Sequence, residues 1–288
     1  MKRYGAIEAG GTKFVCAAGT GPEDLTPPVR FPTSNEDPKA TIDAVAGWLR
    51  QQGPLAAVGV GSFGPVDLLT GTITTTPKLA WQHFPLRQAL EERLGVPVFI
   101  DTDVNAAALA EHQYGAAQGL DTFLYLTVGT GIGGGGMAGG RLLHGRQHPE
   151  MGHVLLPLDP RDHSDFRGVC PWHGNCLEGL ASGPAIEARW KCPADALPPN
   201  HPAWELEASY LGTALVAFIC TLSPQKIILG GGVMEQRHLF PLIRKRVEAL
   251  LNGYLTPPEI VPPEQAACGV LGALALARQG LSADYEAR

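Results

Sequence analysis

Short apolar runs alternate along the chain with segments whose apolar side chains recur every three or four residues. Glycine or proline punctuates most of the changes. This alternation predicts an α/β fold in which strands and helices follow one another. Residues 3–19, "RYGAIEAGGTKFVCAAG", predict two strands joined by a Gly-Gly turn, glycine supplying backbone angles that other residues resist. "ATIDAVAGWLRQQ" (40–52) predicts a helix with Ile42, Val45, Ala46 and Leu49 on one face. "AAVGVGSFGPVDL" (56–68) predicts a buried strand running into a Gly/Pro turn. "FPLRQALEERLG" (84–95) predicts a helix closed by Gly95, and "VPVFIDTDVN" (96–105) a further strand. "NAAALAEHQYG" (105–115) follows as a helix stopped at Gly115.

A second strand–turn system opens at "TFLYLTVGTGIGGGGMAGGRLLHG" (122–145). Beyond it, "PAIEARW" (184–190) and "ELEASYLGTALVAFICTL" (205–222) predict helices, the latter with a largely buried face. "KIILGGGVM" (226–234) predicts a strand entering a glycine turn, and "LFPLIRKRVEALLNGYL" (239–255) an amphipathic helix. "ACGVLGALALARQG" (267–280) reads as a terminal helix of small residues, and the proline-rich segments 193–202 and 257–263 as loops. The strand–glycine openings near 8–13 and 126–136 point to two related halves.

A chain of 288 residues accommodates two domains or one large α/β unit. A net charge of −6 and a pI near 5.8 offer no general attraction to nucleic acid or to an anionic membrane. No apolar run reads as long enough to span a bilayer, and no secretory leader is read ahead of the first strand at Tyr4. Cys16, Cys220 and Cys268 stand among small apolar residues and are expected as buried thiols, while Cys192 has no evident role. Disulfides are not expected, and a reducing cytoplasm is.

Three glycine turns follow apolar strands. "EAGGTK" (8–13) is not a P-loop; its amides with Thr12 and Lys13 can face a phosphate, but taken alone the stretch reads better as a plain hairpin turn with a surface lysine. "TVGTGIGGGG" (127–136) holds Gly129, Gly131 and Gly134 in dinucleotide-fingerprint spacing, but six glycines are hostile to the helix that reading requires. A glycine hairpin closing on phosphate is expected there instead. "LGGGV" (229–233) is the third turn. Between them, Asp101, Asp103 and Asn105 end a strand where a helix begins. Capping by Asp103 or Asn105 competes evenly with a carboxylate that takes a proton from a hydroxyl. "HPEMGH" (148–153) offers Glu150 and His153 without the metalloprotease spacing.

"GVCPWHGNCLEG" (168–179) sets Cys170, His173 and Cys176 in C-x2-H-x2-C spacing, three zinc-type ligands on one short loop. His153 is the natural fourth, with His144, His148 and His163 as competitors. A filled Cys2His2 shell leaves no open position for water, so the expected metal is structural.

In order along the chain, "IEAGGTKFVC", "GSFGPVDL", "TTTPKLAW", "DTDVNAAALAE", "TVGTGIGGG", "HPEMGH", "CPWHGNCLEGLASGPAIE" and "LGGGVM" resemble the ROK family of sugar kinases, and most closely its bacterial fructokinases. The resemblance implies an actin-like ATPase (ribonuclease H-like) fold with two α/β domains around a cleft. A smaller domain over 1–115, with the helix 267–288 packed back on it, would join a larger one over 116–266 that carries the zinc loop. It implies ATP, Mg²⁺ and structural Zn²⁺ as cofactors, a hexose as substrate, and a homodimer. The catalytic aspartate falls on Asp103. Sugar contacts fall on Gly64, Pro65, Asn105, Glu150, His153 and Glu178, and zinc ligands on His153, Cys170, His173 and Cys176. Nucleotide contacts fall on Gly10, Gly11, Thr12, Lys13, Thr130, Gly131, Pro184, Gly230, Gly231 and Gly232. This sequence departs from the wider family in three places. Glu8 stands where Asp is usual, Thr102 where Asn often precedes the catalytic Asp, and C-x2-H-x2-C where C-x-C-x4-C is common. The expected activity is transfer of the ATP γ-phosphoryl group to a hexose hydroxyl, fructose first, with glucose or mannose as alternatives. A sugar-sensing repressor of the same family needs a DNA-binding segment ahead of residue 4, and is the lesser expectation.

Overall fold

The computed structural model describes residues 2–162 and 165–282. His163, weighed above as a metal ligand, and residues 283–288, expected as part of the terminal helix, lie outside the described residues.

The chain divides into two compact units. In the first, β1 (Tyr4–Ala9) and β2 (Lys13–Gly19) form the expected hairpin with Ala9 opposite Phe14, and β3 (Val29–Pro32) adds an antiparallel edge. Helix α1 (Pro38–Arg50) is capped by the Asp37 carboxylate. It leads to β4 (Ala57–Ser62), the short β5 (Val66–Asp67) and β6 (Thr72–Ile73), α2 (Leu86–Leu94), β7 (Val98–Thr102) and α3 (Asp103–Tyr114). The sheet order β3-β2-β1-β4-β7 joins three antiparallel strands to two parallel ones. Ile7, Phe14, Val58 and Val60 of the sheet bury themselves with Ile42, Val45 and Leu49 of α1 and with Leu86 and Leu90 of α2. The glycine turn has a different basis from the one expected. Neither Gly10 nor Gly11 has a positive φ. What glycine 10 provides is room, since a Cβ there would stand 2.8 Å from the Lys13 carbonyl oxygen.

The second unit repeats the pattern. Strands β8 (Phe123–Val128), β9 (Ile132–Ala138) and β10 (Arg141–Leu142) run antiparallel, followed by α4 (Leu177–Ala181), α5 (Gly183–Trp190) and α6 (Ala203–Leu222). Then come β11 (Lys226–Gly230), α7 (Leu239–Leu251) and β12 (Glu259–Val261), giving the order β10-β9-β8-β11-β12. The two sheets share one topology, as the paired strand–glycine openings suggested. Strand β12 lies inside the proline-rich segment read as a loop. Its prolines flank the paired residues, and an edge strand tolerates them there.

Helix α6 is long and apolar enough to cross a membrane by length and composition, contrary to the expectation that no run would be. Here it is a core helix: Trp204, Tyr210, Leu211, Leu215 and Ile219 are buried in the second unit. Cys220, expected buried, is exposed, because it lies on the outer face of this helix beside the exposed Ala217 and Thr221. None of the six cysteines forms a disulfide.

The chain then returns to the first unit as α8 (Cys268–Gly280), whose Val270, Ala273 and Leu274 pack on Ala6, Val15 and Ala17. The short segment His144–Gln147 also belongs to the first unit, although both its flanks belong to the second.

Candidate active site

In the first unit the acids gather where β7 gives way to α3. Thr102 caps the helix, its hydroxyl accepting from the Asn105 N–H at 3.1 Å. Neither residue expected to cap, Asp103 or Asn105, has that role. Asp103 is half-buried at the first helical position, with Oδ1 accepting from the Val104 N–H at 2.8 Å. Beneath it Asp101 and Asn105 are 2% and 1% exposed, and the Asn105 amide donates to Asp101 Oδ1 at 3.0 Å. His144 Nε2 lies 2.8 Å from Asp101 Oδ2 and 3.2 Å from Asn105 Nδ2. The Asp101 hydrogen bond raises the His144 pKa against the opposing effect of burial. These two contacts occupy His144 Nε2.

The turn after β1 is closed by the Gly10 N–H donating to the Lys13 carbonyl at 3.0 Å. Thr33 braces it, its hydroxyl donating to Gly10 O at 2.8 Å and its N–H to Thr12 O at 3.0 Å. Lys13 is exposed at the mouth of the turn. Burial pushes the Glu8 carboxyl up from its ordinary value, with Lys13 and Arg30 acting the other way. Gly64 and Pro65 form the turn after β4, where the Pro65 carbonyl accepts from the Thr74 N–H at 2.8 Å.

In the second unit the 127–136 glycines form a hairpin, as expected, with Val128 opposite Ile132. Thr130 is exposed at its tip. The Gly230–Gly232 turn lies against it: Gly231 has φ +92° and would carry a Cβ 2.4 Å from the Val128 carbonyl oxygen. Pro184 is exposed in the first turn of α5, and the preceding Gly183 N–H donates to Gly129 O at 2.8 Å. The nucleotide residues assigned to this unit therefore stand around one hairpin.

The Glu150–His153 segment runs across the same hairpin. Met151 packs on Gly134, and a Cβ on Gly152 would overlap the Ile132 carbonyl oxygen. Glu150 is exposed and held by His148 Nε2 at 2.9 Å. Glu178, on α4, accepts from the Ile132 N–H at 2.9 Å.

His153, Cys170, His173 and Cys176 bring four ligand atoms within 4.8 Å of one another. His153 Nδ1 is 3.8 Å from Cys170 Sγ and 3.6 Å from Cys176 Sγ, and His173 Nδ1 is 3.7 Å from Cys170 Sγ. Tetrahedral zinc with its usual bond lengths places nitrogen and sulfur ligands about 3.5 Å apart, so the donor set fits the ion. Burial pushes the Cys176 thiol up to about 11, and Cys170 and Glu178 push the same way, so a cation would stabilise its thiolate. His148, a competitor for the fourth position, is engaged with Glu150 instead.

The family model described as "ROK family" matches residues 4–280. The chain belongs to the ROK family. It is 48% identical, over 97% of both chains, to a Bacillus subtilis (strain 168) protein with a provisional fructokinase name. It is 42% identical to the fructokinase of Pediococcus pentosaceus, over 90% of this chain and 88% of that one. The structure of the ROK hexokinase from Thermus thermophilus superposes with a TM-score of 0.81 at 31% identity, covering 97% of this chain and 99% of that one. The fold is that of the actin-like ATPases, with one strand topology in both units. Within this ROK chain, sequence reasoning missed the brace of His144 on Asp101 and the grip of Glu178 on Ile132. The Asp101–Asn105 spacing was a local signal, but partners 43 and 46 residues apart leave none.

Proposed function

We propose that this protein is a fructokinase, transferring the γ-phosphoryl group of ATP to a hydroxyl of fructose. The observation that carries the reading is the match of nearly the whole chain to fructokinase-named relatives at 39–48% identity. The side-chain geometry supports it. Asp103 takes the proton of the attacking hydroxyl; it stands half-buried at the first position of α3, where Oδ1 accepts from the Val104 N–H at 2.8 Å. Charge spread over the transferred group meets Lys13 and the amides of the Gly10–Lys13 and Gly129–Gly131 turns. Pro184 and the Gly230–Gly232 turn border the nucleotide. Mg²⁺, arriving with ATP, supplies further neutralisation of the phosphates.

Glu150, His153 and Glu178 anchor the sugar, together with Asn105, Gly64 and Pro65. His153 turns Nδ1 to the two sulfurs, which leaves Nε2 on the other side of the ring to donate to a sugar hydroxyl. Zinc supplies a fixed frame for the loop when bound and leaves no site for hydrolytic water. A cytoplasmic setting and a homodimer are taken for the functional unit, by the resemblance.

An ADP-release assay with fructose, glucose, mannose and no sugar tests the reading. Fructose-dependent ADP release is expected to exceed that with the other hexoses, and Asp103→Asn to lower it by about 10³-fold or more with an unchanged melting curve. Turnover on glucose or mannose alone would overturn the choice of fructose. Release with no sugar of the set would overturn the kinase itself, and near-normal turnover in the variant would remove Asp103 from the chemistry.

A further inference from the structure

Ile132 is the residue where the three working parts of the second unit meet. It begins the return strand of the glycine hairpin, directly after Gly131. Its N–H donates to Glu178 Oε2 at 2.9 Å. Its carbonyl oxygen is covered by Gly152, between Glu150 and His153. The hairpin's other stem is tied to the same helical segment, through the Gly183 N–H bond to Gly129 O at 2.8 Å. Glu178 itself is the second residue of α4, a helix capped by Cys176 Sγ accepting from the Gly179 N–H at 3.4 Å. The hairpin is built to take this carboxylate: Oε2 stands 2.7 Å from where a Cβ on residue 131 would be.

We infer that Glu178 is a positioning residue for the nucleotide as well as a contact for the sugar, with Oε2 holding the phosphate hairpin at Ile132 and Oε1 meeting the substrate hydroxyl. The inference rests on the kinase reading above. A charge-assisted bond to a backbone N–H is among the stronger ones, and here it fixes the first residue of the strand that returns from the phosphate turn. Gly129, Thr130 and Gly131 would otherwise hang on bonds to Gly183 and within the hairpin alone. One carboxylate engaged on both sides also couples the two substrates. Whatever orders Glu178 from the sugar side orders the hairpin that receives ATP, and the coupling is reciprocal.

A purely sugar-binding Glu178 would leave nucleotide affinity untouched, so the test is made without sugar. Binding of a non-hydrolysable ATP analogue with Mg²⁺ is measured by calorimetry on the zinc-loaded protein, for the natural sequence, Glu178→Gln and Glu178→Ala. Glu178→Ala is expected to bind the analogue about tenfold more weakly. Glu178→Gln keeps an acceptor for the Ile132 N–H and is expected within about twofold of the natural protein. Both variants are expected to raise the KM for the sugar. If Glu178→Ala does not melt cooperatively, Glu178→Asp takes its place, its shorter side chain withdrawing the carboxylate from Ile132 with the same expected loss. Unchanged analogue affinity in a folded Glu178→Ala or Glu178→Asp protein overturns the inference, as does a Glu178→Gln loss equal to that of Glu178→Ala. A natural protein that binds no adenine nucleotide overturns the kinase reading, an outcome distinct from either.

Discussion

Thr102 takes the capping role expected of Asp103 or Asn105. A hydroxyl at the helix start takes the Asn105 N–H, so Asp103 presents its carboxylate from the first turn of α3 without serving as the cap. Asp101, one residue before the cap, is buried and would be costly to hold there unpaired. His144 and Asn105 supply the pairing. Because the folded-state pKa of His144 is raised, the pair stabilises fully below the unfolded value of about 6.5 and weakens as pH rises through the folded value. Melting curves of the natural protein and of His144→Asn should therefore differ most near pH 6 and converge toward alkaline pH. A difference independent of pH would show that the ring acts by packing alone.

At the scale of elements, the cysteine–histidine loop holds its position through few regular bonds. Leu155 bridges to Cys176, Leu177 N–H donates to Val154 O at 2.9 Å, and Asn175 O accepts from the Leu156 N–H at 3.1 Å. Structural zinc contributes about 10–16 kcal/mol to the folding of small finger peptides, enough to order such a loop. Purified protein is expected to hold about one zinc per chain. Chelation should lower the melting temperature and make Cys170 and Cys176 reactive to a thiol reagent. A chelated protein with an unchanged melt and two unreactive thiols would rule out a metal frame. Helix α4, which starts directly after Cys176, carries Glu178, so an element that looks structural also sets a contact on the glycine hairpin.

On the scale of the whole molecule, two sheets of one topology suggest a duplicated plan, and the chain crosses back to finish the first unit with α8. Glu111, fully buried on α3, secures that return. Its carboxylate accepts from the N–H groups of Ala116 (2.8 Å), Glu264 (3.2 Å) and Gln265 (2.8 Å), and from the Cys268 thiol at 3.2 Å. Glu111→Gln keeps the shape but turns one acceptor into a donor facing donors. A loss of about 2 kcal/mol, read as a fall of roughly 4–8 °C in melting temperature, is expected. No shift would mean that apolar packing of α8 suffices to hold the return.

Much of this was legible in one dimension. Strand–glycine turns, the helix faces of α1 and α2, the cysteine–histidine cluster within 170–176 and the family itself all follow from local spacing, because backbone preference and side-chain period act over a few residues. Contacts made by distance along the chain were not legible. Edge strands β3 and β12 form only because a neighbouring strand offers its free edge, and proline signals alone argue for a loop. Cys220 faces out of a helix whose sequence is apolar almost throughout. His153 faces the two sulfurs, whereas His144 meets Asp101 and His148 meets Glu150, pairings that spacing along the chain does not reveal. Sequence determined which chemical groups were present and which short elements carried them. The tertiary structure decided their partners, since a hydrogen bond across 46 residues, such as that of Glu178 on Ile132, depends on packing that no local pattern encodes.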